Sequence, residues 1–104
     1  MIVVTTDGVG NKTIKESLGL VQGSVVMAKH VGSDFVAGLR NIVGGEVKGY
    51  TDMMNRSRKE AFDRMVKNAE EIGADAIVGM RYSSSTIMGG ASEMLAFGTA
   101  VKFK

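Results

Sequence analysis

Residues 50–72 constrain the fold more than any other stretch, because their apolar side chains recur at helical spacing. The apolar stripe consists of Met54, Ala61, Phe62, Met65, Val66, Ala69 and Ile72. Gly73 follows at once and gives the helix a stop signal. A helix with one apolar stripe must bury it against another layer of the protein. We therefore expect a long helix over residues 50–72 that packs on a sheet.

Several other stretches alternate in the manner of β-strands. The N-terminal "MIVV" reads as a short strand, and residues 13–28 as one long strand with a change of phase near Gly19. A glycine inside such a pattern often marks a β-bulge. Residues 74–83 and 93–103 predict two further strands, and we expect the serine- and glycine-rich residues 83–92 to form a flexible connection between them.

A second, shorter helix is predicted before the long one. Ser33 or Asp34 can cap its N-terminus, and Phe35, Leu39 and Ile42 then share one face. Gly44 is placed to end this helix. The sequence thus predicts one α+β domain over residues 1–104, an antiparallel sheet packed on one face by a short and a long helix.

The last predicted strand has two different apolar faces. Leu95, Phe97, Thr99, Val101 and Phe103 alternate with Met94, Ala96, Gly98 and Ala100. A sheet face exposed to water should instead carry polar residues. We expect the helices to cover one face and a second copy of the chain to approach the face of small residues, which predicts a homo-oligomer.

Composition excludes several classes of protein. The chain has no cysteine, so it has neither disulfides nor thiolate metal ligands. Its formal charge of +2 gives no strong basic character, and acidic residues interleave with the cations of the long helix, so nucleic acid is an unlikely partner. No apolar run reaches the length of a membrane span, and the N-terminus lacks signal-peptide features. These features predict a cytoplasmic protein without a membrane partner.

Four segments carry a resemblance to a known family. They are "DFVAGLRNIVGGEVKGY" at 34–50, "RKEAFDRM" at 58–65, "GADAIVGMRY" at 73–82 and "GTAVK" at 98–102. In this order and spacing the chain resembles the YbjQ-like proteins, a functionally uncharacterised bacterial and archaeal family catalogued as heavy-metal-binding. The resemblance implies α+β subunits similar to those of dodecin, assembled into homopentameric rings.

The matching block contains a candidate ligand site between the two predicted helices. Arg40 and Tyr50 flank a turn in which Gly44 and Gly45 can present backbone N–H groups to an anion. Relatives often carry arginine at the position of Glu46, whose charge here disfavours a strongly anionic ligand. The alternative interpretation is a structural corner stabilised by an Arg40–Glu46 pair.

A candidate metal site follows from the family's label. Met27, His30 and Asp34 are close in sequence and offer thioether, imidazole and carboxylate ligands. A single imidazole is a sparse ligand set, and a histidine at such a junction is more often a surface residue.

Catalytic motifs are absent from the sequence. It contains no GxSxG, HExxH or Walker motif, and the sequence specifies no cofactor. We expect no enzyme. The sequence favours a ring-forming protein that binds a small molecule or an ion between subunits, with a heavy-metal-binding protein or a purely structural protein as alternatives.

Overall fold

A long hairpin and one long helix dominate the fold. The computed structural model describes residues 1–28, 42–43 and 46–104. Its elements are β1 (Ile2–Val3), β2 (Ile14–Ala28), β3 (Ile42–Val43), β4 (Glu46–Val47), α1 (Lys48–Glu71), β5 (Ala76–Met88) and β6 (Ala91–Phe103). Four strands form one sheet in the order β1-β5-β6-β2, and β3 pairs with β4 in a separate two-stranded ribbon. The α+β class predicted from the sequence is confirmed.

The main sheet is mixed, so the prediction of an antiparallel sheet is wrong at one edge. β1 runs parallel to β5, with Ile2 opposite Ala76 and Val3 opposite Ile77. The β2–β6 and β5–β6 pairs are antiparallel, as predicted. Because the chain enters at β1 on one edge and forms β2 on the other, its N-terminal strand needs no tight turn to a neighbour and is free to run parallel.

α1 covers the face of small residues, which reverses the predicted assignment of the two faces. Ala96 and Ala100 of β6 are fully buried and pack in one core cluster with Ala61, Met65 and Ala69 of α1. Small side chains on both sides let the helix approach the sheet closely. The same chain therefore fills the space that we had expected a second copy to occupy.

Gly23 of β2 marks the closest approach. A Cβ atom there would lie within 3.0 Å of the Ala61 carbonyl, the Met65 amide and the Arg64 Cβ atom. A larger residue would push α1 away from the sheet, so glycine sets the distance between the two layers.

The buried line of α1 is offset from the predicted stripe. It follows Met53, Ser57, Ala61, Met65 and Ala69, at intervals of four residues. Phe62, placed at the centre of the stripe from the sequence, lies half-buried on its flank. Ile72 is exposed, beyond the last helical residue. The polar Ser57 fits the buried line because its hydroxyl donates to the Met53 carbonyl at 2.8 Å.

The predicted β-bulge near Gly19 is present. The register of β2 against β6 shifts between Ser17 and Gly19, and Gly19 has φ = 106°. Glycine reaches this conformation without the steric cost that other residues incur. The bulge explains the change of phase in the sequence: Val21, Gly23 and Val25 then face α1.

The flexible connection predicted for residues 83–92 is wrong. β5 continues to Met88 and β6 begins at Ala91, so residues 89–90 alone join them. Ser83 pairs with Leu95 and Ser85 with Glu93. Serine has little intrinsic strand preference, but β6 is held beneath α1 and offers a ready template for pairing. Tertiary context thus overrides local composition.

The prediction of a helix over residues 33–43 is wrong at residues 42–43, the two of its residues that the structure describes. Ile42–Val43 is the strand β3, and its register places Ile42 opposite Val47 and Val43 opposite Glu46. The remainder of the predicted short helix lies outside the described residues.

A second apolar cluster covers one end of the sheet face opposite α1. Ala76, Val78 and Val101 are buried there, and Val4 and Val9 of the N-terminal segment pack against them. Further along this face we name Leu20, Val26, Leu95 and Phe97 the open face, because no described element covers them.

Candidate functional site

Most of the site residues predicted from sequence lie outside the described residues. This holds for Arg40, Gly44 and Gly45 of the ligand site and for His30 and Asp34 of the metal site. These assignments remain predictions. Met27 and Tyr50 belong to the described part of the chain.

Met27 and Tyr50 occupy partly buried positions. Met27, near the end of β2, packs against the core cluster beneath α1, so its thioether has a packing role. Tyr50 lies in the first turn of α1, two residues after the helix begins at Lys48. The β3–β4 ribbon precedes this turn directly, so Tyr50 lies three residues beyond the strand that pairs with β3.

Hard metal ligands do not cluster in the described part of the chain. Within residues 1–28, 42–43 and 46–104, no group of three or more His, Asp or Glu side chains is close enough to hold a metal ion. Four of the eight methionines, Met53, Met65, Met80 and Met94, are buried in the protein and serve packing.

A polar groove between β2 and α1 was missed from the sequence. It has a volume of about 410 Å³ and is lined by Gln22, Gly23, Ser24, Arg64, Lys67, Asn68 and Glu71. The helical residues of this set share one side of α1 at intervals of three and four. A helical pattern in the sequence does not show that the edge of a strand runs beside these residues.

Two side chains of α1 donate hydrogen bonds to backbone carbonyls of β2 in this groove. The Arg64 guanidinium donates to the Ser24 carbonyl at 2.6 Å, and the Asn68 amide donates to the Gln22 carbonyl at 2.7 Å. β2 is the last strand of the sheet, so these carbonyls point away from β6. We name Arg64 and Asn68 the edge clamp, because they take the hydrogen bonds that a neighbouring strand would make.

Charges on the outer side of α1 form two pairs four residues apart. Asp63 accepts from Lys59 at 2.8 Å. This hydrogen bond, followed by the charge of Asp63, raises the pKa of Lys59 above its ordinary value. Glu60 and Arg64 form the second pair at 4.0 Å. Lys67 forms no ion pair with the described carboxylates and remains available to the groove.

The outer edge of β5 is covered only over its first part. The Val4 amide donates to the Ile77 carbonyl, and the Met80 amide donates to the Val4 carbonyl. The Arg81 guanidinium then donates to the Thr5 carbonyl at 2.9 Å and ends this contact. From Tyr82 to Met88, no described residue pairs with the outer edge of β5.

The geometry defines a class of protein: an α+β fold in which one long helix packs on one face of a mixed four-stranded sheet. A similar fold appears in a solved structure, a protein of unknown function of the DUF74 family from Pediococcus pentosaceus. The two share 18% identity and a TM-score of 0.67 over 100% of this chain and 98% of the other, so the likeness concerns the fold.

Sequence comparison shows the family to which this chain belongs. The YbjQ family model, described as "Putative heavy-metal-binding", matches residues 1–104, and the chain belongs to this family. A UPF0145 protein of Thermotoga petrophila is 55% identical over 100% of this chain and 98% of its own length. One from Colwellia psychrerythraea is also 55% identical, over 100% and 99% of the two chains. One from Vibrio parahaemolyticus is 56% identical over 98% and 97%.

Proposed function

We propose that the protein is a non-enzymatic, self-assembling subunit that forms a ring and holds a small molecule or an ion between its copies. The family resemblance supports a ring of five. We propose the cytoplasm as its location, which suits a chain without cysteine because no disulfide requires an oxidising compartment. In the described part of the chain, no helix is long and apolar enough to cross a membrane.

The open face is the observation that carries this proposal. Leu20 is 68% exposed and Val26 is 57% exposed, and half-buried Leu95 and Phe97 lie between them and β5. Gln22 and Ser24 lie between Leu20 and Val26 on this face, so the exposed apolar side chains form a mixed surface with polar ones. Exposed apolar side chains grouped in this way on a small protein can mark an interaction site. The sequence placed the second copy at the face of small residues, which α1 covers; we propose that a second copy covers the open face instead.

A ligand between copies is the functional part of the proposal. The predicted ligand residues are Arg40, Gly44, Gly45 and Tyr50. Tyr50 lies in the first turn of α1, just after the β3–β4 ribbon, which is consistent with this placement. Glu46 favours a weakly charged polar ligand over a strongly anionic one.

Heavy-metal binding is the second candidate, supported by the description of the family model. The chain offers one imidazole and no thiolate, so one protomer supplies few ligands for a soft metal. Symmetry-related copies of Met27, His30 and Asp34 would have to combine to complete such a site. A purely structural ring without ligand is the third candidate.

One set of measurements separates these candidates. Sedimentation equilibrium at micromolar concentration gives the assembly mass, and a ring of five corresponds to about 55 kDa from the 11.0 kDa protomer. Elemental analysis then detects metal, and native mass spectrometry detects a retained organic ligand. A protomer mass would refute the ring. Bound metal that His30→Ala removes would favour the second candidate.

Arg40→Met tests the ligand site within the same measurements. We expect the ring to persist and ligand retention to be lost. Dissociation of the ring, or a markedly lower melting temperature, would instead assign Arg40 a structural role.

A further inference from the structure

The polar groove between β2 and α1 contains two opposite charges that are not paired with each other. Lys67 and Glu71 both line it, four residues apart on α1, and within the described part of the chain neither forms an ion pair. A lysine that precedes an acidic residue by four positions is the less favourable order for such a pair. The groove volume of about 410 Å³ lies within the range of small-molecule sites. Both charges are therefore available to a small ligand.

The backbone of β2 adds hydrogen-bond donors to the groove. In an antiparallel strand the N–H and C=O groups of one residue point to the same side. The edge clamp binds the carbonyls of Gln22 and Ser24 on the outer side of β2, so the N–H groups of these two residues also point outward. No described backbone carbonyl or side chain accepts from them. The clamp thus occupies the acceptors of this edge and leaves its donors open, which favours a negatively charged group.

The end of α1 favours the opposite charge. The helix ends at Glu71 and has no basic residue in its last turn. The partial negative charge of a helix C-terminus stabilises cations, and the carboxylate of Glu71 adds a full negative charge at the same place. Arg64 and Lys67 lie one to two turns earlier. The groove is therefore positive along its Arg64–Lys67 part and negative at its Glu71 end.

We propose that this groove binds a small zwitterion, an organic molecule with one carboxylate and one ammonium group, as in a free α-amino acid. The carboxylate pairs with Lys67 and accepts from the N–H groups of the β2 edge, and the ammonium pairs with Glu71. Glu60 lies beside Arg64 at 4.0 Å and offsets its charge, so the groove as a whole has little net charge. A ligand without net charge suits it better than a phosphate does.

This site is separate from the ligand site of the proposed function. Tyr50 and Lys67 lie about 25 Å apart along α1, at a rise of 1.5 Å per residue. One protomer supplies every group that lines the groove, so binding here does not require assembly. Failure of this proposal would leave the proposed ring and its ligand untouched, and the reverse also holds.

The test is an NMR titration of the full chain with L-glutamine and two analogues that each lack one charge. Glutaramate lacks the ammonium, and γ-aminobutyramide lacks the carboxylate. The backbone amide signals of Gln22 and Ser24 report binding at the β2 edge. Inorganic phosphate is titrated as a plain anion.

Two variants remove the charges of the groove one at a time. They are Lys67→Met and Glu71→Gln, both at exposed positions. Lys15→Met and Glu70→Gln are the matched controls, because they remove the same charges at exposed positions outside the groove.

We expect glutamine to shift the amide signals of Gln22 and Ser24 saturably, and each analogue to bind about tenfold more weakly. Lys67→Met and Glu71→Gln should each weaken glutamine binding by a similar factor, whereas the two controls should bind as the wild type does. On Glu71→Gln, glutamine and glutaramate should bind alike, because the partner of the ammonium has been removed. Lys67→Gln should repeat the Lys67→Met result if the methionine variant fails to fold.

Several results would overturn the proposal. One is the absence of saturable shifts with glutamine up to about 10 mM, a concentration that detects even weak binding. Tighter binding of phosphate than of glutamine would make the groove a plain anion site. Equal weakening in the variants and their controls would attribute binding to net charge, and unchanged binding in Lys67→Met and Glu71→Gln would place the ligand elsewhere.

Discussion

The β2–β6 region and the outer part of β5 belong to one sheet, but they differ in how far their backbone groups are paired and their side chains covered. Under α1, the backbone groups of β2 and β6 pair with each other, and Gly23, Ala96 and Ala100 are covered by a closely packed helix. From Tyr82 onward, β5 pairs on one side only, and each of its side chains is exposed. The first region completes the fold of one chain, whereas the second has surface suited to a further chain.

This difference predicts that substitutions beneath α1 reduce the stability of the protomer, whereas substitutions on the outer edge of β5 alter assembly. The largest effect is expected at Gly23. Gly23→Val places a side chain where the helix backbone lies, and overpacking of this kind costs about 3 kcal/mol. Urea unfolding followed by circular dichroism measures the loss.

Gly8→Val is the matched control for Gly23, because a Cβ atom at Gly8 meets nothing within 4 Å. It should change the free energy of unfolding by less than about 0.5 kcal/mol. Equal losses at the two glycines would contradict the close packing of α1 on β2.

Met65 and Phe62 provide the next comparison, between the centre and the flank of α1. Met65 is fully buried, so Met65→Ala should cost about 3 kcal/mol. Phe62 is half-buried, so Phe62→Ala should lower the free energy of unfolding by about 2 kcal/mol. This is below the usual loss of about 3–5 kcal/mol for a fully buried aromatic. If the greater loss occurs at Phe62, its side of α1 and not the Met65 side faces the core.

A smaller effect is expected at the edge clamp. Asn68→Ala removes the hydrogen bond to the Gln22 carbonyl, which contributes about 1 kcal/mol. Asn11→Ala is the control, since Asn11 is exposed outside both strand edges. Chemical denaturation of both variants checks the difference, and an unchanged Asn68→Ala protein would show that water replaces the amide without loss.

The smallest effect concerns the exposed pair of Lys59 and Asp63. Asp63→Asn removes the carboxylate that raises the pKa of Lys59, so this pKa should fall toward its ordinary value. The raised pKa means that the pair stabilises the fold below the ordinary lysine pKa and loses this effect as pH rises through the folded-state value. NMR titration of the Lys59 ammonium measures the shift; no change would place Asp63 away from it in solution.

Periodicity predicted several elements of the fold but not the way they meet. The long helix, the bulge at Gly19 and the alternation of β6 follow from local spacing, and the structure contains all three. The choice of sheet face did not follow, because Ala96 suits a helix of the same chain as well as a second chain. The strand at Ser83–Ser85 was missed for a related reason: its partner β6, and not its composition, makes it extended.

The candidate site was less predictable than the fold. Arg64 and Asn68 look like ordinary surface residues in the sequence, and their role depends on strand carbonyls 40 and 46 residues away in the chain. Family resemblance pointed to residues 40–50 instead, where Tyr50 can now be placed at the start of α1. The edge clamp can be recognised only when the position of β2 beside α1 is known.

Amide hydrogen exchange at two protein concentrations tests most directly whether the proposed assembly covers the surface that one protomer leaves exposed. We predict that amides of residues 82–88 exchange slowly in the concentrated protein and faster on dilution, while amides of residues 94–101 in β6, which pairs with β2 and β5, exchange slowly at both concentrations. Concentration-independent fast exchange throughout residues 82–88, in a protein that sediments above the 11.0 kDa protomer mass, would contradict the account.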